Sequence, residues 1–77
     1  MERYTFNSIF TYNANAGTIS TNFPVVVSGI RYNQGTIVTQ NSPFLGGLNL
    51  FNYIGKDVSG TFNPGTREVN IQGFYYG

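Results

Sequence analysis

The stretch Val58-Ser59-Gly60-Thr61-Phe62-Asn63-Pro64-Gly65-Thr66-Arg67-Glu68-Val69-Asn70-Ile71-Gln72 decides how the rest of the chain is read. Residues 58–62 and 68–72 are β-favouring runs on either side of Asn63-Pro64-Gly65-Thr66. Proline presets the dihedral of the first central turn position, and glycine accepts the positive φ of the second. The pair therefore predicts a type II turn, and the whole stretch predicts an antiparallel hairpin over residues 58–72.

Reading outward, the same grammar recurs. Residues 3–12 alternate, with Tyr4, Phe6, Ser8, Phe10 and Tyr12 on one parity, which in a strand places them on one face. Residues 18–23 read as a second strand with Ile19, Thr21 and Phe23 on one side. Pro24 cannot donate to a ladder and ends that strand or bends it. Residues 25–32 continue extended, with a bulge at Gly29. Residues 36–40 return as a strand, and residues 48–54 read as another, with a short helix as the alternative. Three segments repeat an aromatic–Asn pair, a spacer and Gly-Thr: Tyr12-Asn13 to Thr18, Tyr32-Asn33 to Thr36 and Phe62-Asn63 to Thr66. Asparagine closes a turn through its own side chain and glycine supplies the unusual dihedral, so three hairpin turns are expected.

Composition agrees with this reading. Val, Ile, Phe, Tyr and Thr supply 33 of the 77 residues, and branching at Cβ or an aromatic ring suits a pleated surface better than a helix. The expected fold is all-β: a small single domain over residues 1–77, an antiparallel barrel or sandwich of six to seven short strands.

The same counts exclude much chemistry. The chain has no Cys and no His, so it offers no disulfide framework, no Cys/His metal site and no histidine base. Of the two carboxylates away from the N-terminus, Asp57 falls in a turn and Glu68 on a strand, too far apart for a glycosidase pair. An enzyme is not expected, and neither catalytic, cofactor nor metal residues are assigned. Lys and Arg number four against three acidic residues, a net charge of +1, which does not support nucleic-acid binding. No apolar run is long enough for a membrane-spanning helix. The first residues lack the apolar stretch of a signal peptide. The compartment stays open, and the composition is compatible with an extracellular or virion protein.

Charge placement supplies the positive hint. Charged residues make up only 9% of the chain, and residues 4–30 and 32–55, on either side of Arg31, hold none of them. A surface wetted by amides and hydroxyls weakens repulsion between like chains. A domain this short has a marginal core and often leans on neighbours. The expectation is therefore a structural assembly module that self-associates as a homo-oligomer or packs on a partner protein. The candidate interface is Phe44, Leu45, Leu48, Phe51, Tyr53 and Tyr75. Tyr is enriched at interfaces, and the six tyrosines include Tyr76. The alternative is a lectin-like module that binds a glycan at Tyr12, Asn13, Tyr32, Asn33, Phe62 and Asn63, with rings for sugar faces and amides for hydroxyls.

Overall fold

The computed structural model describes residues 2–75; Met1, Tyr76 and Gly77 lie outside the described residues. In chain order the elements are β1 (Glu2–Tyr4), the single helical turn α1 (Phe6–Ile9), β2 (Phe10–Asn13), β3 (Thr18–Thr21), β4 (Val25–Val27), β5 (Ile30–Tyr32), β6 (Ile37–Thr39), β7 (Phe44–Leu45), β8 (Leu48–Asn49), a 3-10 turn (Leu50–Asn52), β9 (Val58–Asn63) and β10 (Glu68–Phe74). The all-β class is as expected. The ten strands among the described residues exceed the expected six to seven, because several are only two or three residues long.

The strands fall into three sheets, in the orders β1-β9-β10-β4-β5, β2-β3-β6 and β7-β8. No closed barrel forms among the described residues, since each sheet ends in open edges. Nor is the pairing wholly antiparallel: β4 runs parallel to β10, with Val25 opposite Val69 and Val27 opposite Ile71. The inner faces of all three sheets share one core, built from Phe6, Ile9, Phe10, Ile19, Val25, Val27, Val38, Leu45, Leu50, Val58, Val69 and Ile71. Burying apolar area there supplies the main drive to fold.

The C-terminal hairpin forms as read, with Glu68 opposite Asn63 and Ile71 opposite Gly60. Its turn differs. The positive φ falls on Arg67 (61°), outside the Pro64-Gly65 pair. Asn63 holds the start of the turn, its Oδ1 accepting from the Gly65 amide at 2.9 Å, and the left-handed residue falls at the turn's end. A left-handed arginine is strained by about 1–2 kcal/mol, whereas glycine tolerates the conformation at a smaller loss of chain entropy. Arg67→Gly is expected to raise stability by about 0.5–1 kcal/mol, measured as a higher urea midpoint with unchanged slope.

Three further expectations are corrected. Residues 3–12 are not one continuous strand. Phe6, Ile9 and Phe10 stand at i, i+3 and i+4, and one helical turn buries all three at once. An alternating strand would have turned Ile9 outward. Gly29 is not a bulge in a long strand: Ser28 (φ 53°) and Gly29 (φ 79°) form a two-residue turn between β4 and β5. Positive φ at both positions is the type I′ geometry that matches strand twist. The bulge lies instead at Gln72, where the register skips between Ile71 and Gly73. That skip lets Ile71 and Phe74, three residues apart, both face the core side. Finally, residues 48–54 split between β8 and the 3-10 turn, as Asn49 Oδ1 accepts from the Phe51 amide at 3.1 Å and caps the turn.

Of the three repeated aromatic–Asn segments, the first and third close hairpins. The second does not. It carries the chain from β5 in one sheet to β6 in another, anchored by the buried Thr21 hydroxyl, which donates to the Asn33 carbonyl and accepts from the Thr36 amide, both at 3.1 Å.

Candidate functional site

Two surface features stand out above the core, a set of exposed apolar side chains on edge strands and an aromatic cleft. The exposed side chains lie at the ends of sheets. β5 closes one side of the five-stranded sheet and β6 one side of the three-stranded sheet. Ile30 on β5 is 51% exposed and Ile37 on β6 is 63% exposed, with only the crossover turn between their strands. On β6 the neighbour Val38 is buried, so strand alternation forces Ile37 outward. Phe44 is 62% exposed on β7, where its neighbour Leu45 points into the core. The edge strand β6 carries no charged side chain and is poorly guarded against pairing with another chain, whereas β5 holds Arg31.

The predicted interface residues are thus divided. Leu45 is fully buried and belongs to the core, which corrects its assignment to a contact surface. Its burial follows from the Gly46-Gly47 turn (φ 58° and 87°), which folds β7 and β8 against Val27. Leu48 and Phe51 are half-buried and pack on the core. Tyr53 stacks on Phe74 with centroids 4.4 Å apart and planes at 6°. Tyr75 lies under the Arg3 guanidinium, 4.2 Å from the ring centroid, and Arg3 is also paired with Asp57 at 2.7 Å. Phe44 alone of the six is largely exposed. Ile30 and Ile37 were not singled out by sequence, although the parity of Ile37 against Val38 carried the signal.

The alternative ligand residues do not form one surface patch. Tyr12 and Asn13 sit on β2 of the three-stranded sheet, while Tyr32 and Phe62 lie in one row of the five-stranded sheet, separated by Val25 and Val69. Their polar groups serve the fold. Asn13 Oδ1 accepts from the Ala16 amide at 3.1 Å, Asn63 Oδ1 from Gly65, and Asn33 Oδ1 from Arg31. The Tyr32 hydroxyl accepts from the Gly46 amide at 2.8 Å. Arg31, isolated among uncharged residues in the sequence, pairs across the sheet with Glu68.

The aromatic cleft has a volume of about 230 Å³. Tyr4, Phe23 and Phe62 wall it, Ile9 and Val69 form its floor, and Ser8 lies at its rim. Phe23 and Phe62 meet edge to face, with centroids 5.7 Å apart and planes at 71°. Glu2 and Tyr4 are two residues apart on β1 and face the same side, opposite Gly60 and Val58. The Tyr4 hydroxyl donates to the Glu2 carboxylate. That hydrogen bond first, then desolvation and the carboxylate charge, raises the Tyr4 pKa above its ordinary 10.0, partly countered by the Phe62 backbone. Sequence reading placed Tyr4 on one face with other aromatic residues but had no means of bringing Phe23 and Phe62 together, because their contact depends on the parallel pairing of β4 with β10. Comparison of this chain with models of protein families, with curated proteins and with solved structures gives no match.

Proposed function

We propose that this chain is a non-enzymatic assembly module that associates with copies of itself through exposed apolar side chains on its edge strands. The observation that carries the reading is the uncharged edge strand β6 with Ile37 more than half exposed, together with the similarly exposed Ile30 on the edge strand β5. Phe44 adds an aromatic ring of similar exposure. With charged residues at 9% of the chain, little repulsion opposes contact between like copies. The glycan reading draws less support, because the turn asparagines commit their Oδ1 atoms within the protein.

Burying one isoleucine side chain is worth about 1.5–3 kcal/mol, or roughly 10- to 100-fold in an association constant. Ile37→Lys is therefore expected to weaken self-association by about that factor while leaving thermal stability nearly unchanged, since the side chain is exposed in the single chain. Sedimentation equilibrium over a concentration series reads the first effect and circular dichroism the second. A parent protein that stays monomeric at the highest soluble concentration overturns the proposal.

A further inference from the structure

The aromatic cleft plays no part in the assembly surface, and its chemistry points to a different occupant. We propose that the cleft walled by Tyr4, Phe23 and Phe62 binds a quaternary ammonium group, with the Glu2 carboxylate supplying the counter-charge at its mouth. Three aromatic rings line one space, two of them in edge-to-face contact with planes at 71°. Ring faces carry negative quadrupole density and attract cations that are cheaply desolvated. The floor of Ile9 and Val69 offers no hydrogen-bond acceptor and suits methyl groups.

Charge selects the sign of the guest. The carboxylates of Asp57 and Glu68 are neutralised by Arg3 and Arg31, whereas Glu2 is held beside the cleft by the Tyr4 hydroxyl. An anion is disfavoured there. A primary ammonium is disfavoured for another reason: its three N–H groups are strongly hydrated, and the apolar floor of Ile9 and Val69 offers no acceptor to replace the water lost on entry. A permethylated nitrogen has no such donors. The cleft, at about 230 Å³, is smaller than the sites that enclose drug-sized molecules, so it admits a compact head group.

The test is an NMR titration of the full chain with choline and, in parallel, with its neutral isostere 3,3-dimethyl-1-butanol. Choline is expected to shift the ring resonances of Phe23 and Phe62 saturably, with a dissociation constant on the order of millimolar. The isostere is expected to bind several-fold more weakly. Glu2→Gln and Phe62→Leu, both at exposed positions, should each weaken choline by about 2- to 5-fold without perturbing resonances elsewhere. Phosphatidylcholine vesicles and a trimethyllysine peptide, titrated the same way, distinguish the carrier of the head group. Tighter binding to either than to free choline, weakened again by Glu2→Gln, supports the proposal and identifies that carrier. Absence of saturable shifts, or equal binding of choline and the neutral isostere, overturns it.

Discussion

Phe10→Ala is expected to abolish the native fold, or to leave it so marginal that it melts near room temperature. Phe10 has no exposed surface and joins three parts of the core. Its ring lies 5.0 Å from Phe6 and 6.4 Å from Phe74, and its backbone ends the helical turn and begins β2. Truncating a buried phenylalanine costs about 3–5 kcal/mol, because the transfer energy is lost and a cavity remains. A domain of this size holds a total stability near the lower end of about 5–15 kcal/mol. Urea unfolding followed by circular dichroism measures the loss. Phe10→Leu, which keeps most of the volume, is expected to fold with a loss of about 1.5 kcal/mol or less. If Phe10→Ala retains the parent midpoint, Phe10 does not join α1 and β2 to the shared core as described.

The second large effect is expected at Gly46. A Cβ there would sit 2.6 Å from Val27 Cγ1 and 2.7 Å from the Val27 carbonyl oxygen, on a backbone with φ of 58°. Gly46→Ala therefore combines overpacking of about 1–3 kcal/mol with left-handed strain of about 1–2 kcal/mol. Gly47 is the internal control. Its φ is 87°, but a Cβ there meets nothing within 4 Å, so Gly47→Ala should cost only the strain. The difference between the two midpoints isolates the contact between the β7–β8 hairpin and β4. Equal losses in the two variants would mean that the hairpin is not seated on Val27. In that case the hydrogen bond from the Gly46 amide to Tyr32 would be absent as well.

These two positions show what could be read in advance. The hairpin of residues 58–72 was legible because its signals are local: a turn dipeptide between β-favouring runs. Ile19 and Thr21 on one buried face were legible for the same reason. Residues 3–12 were misread because two periods fit them. Tyr4, Phe6, Ser8, Phe10 and Tyr12 satisfy period two, while Phe6, Ile9 and Phe10 satisfy a helical turn, and burying Ile9 decides between them. The parallel pairing of β4 with β10 has no local signature, since it depends on which strand reaches the open edge of the C-terminal hairpin. The aromatic cleft inherits that difficulty. Its walls come from β1, the segment before β4, and β9, which meet only once the sheet is assembled. Phe44 was chosen rightly as an exposed ring, but Leu45 beside it could not be separated from it without the register of the Gly46-Gly47 turn.

The β4–β10 ladder also governs when the molecule can become a folded protein at all. Val25 pairs with Tyr32 on one side but meets Val69 on the other only after β10 has been made, so a nascent chain holds β4 and β5 as an orphaned hairpin through the synthesis of everything between them. Closing so wide a loop demands entropy before any contact rewards it, which favours one slow, late, all-or-none step. In that interval the aliphatic strands are bare to every other growing chain on the same message, and first encounters between copies begin before the native state exists.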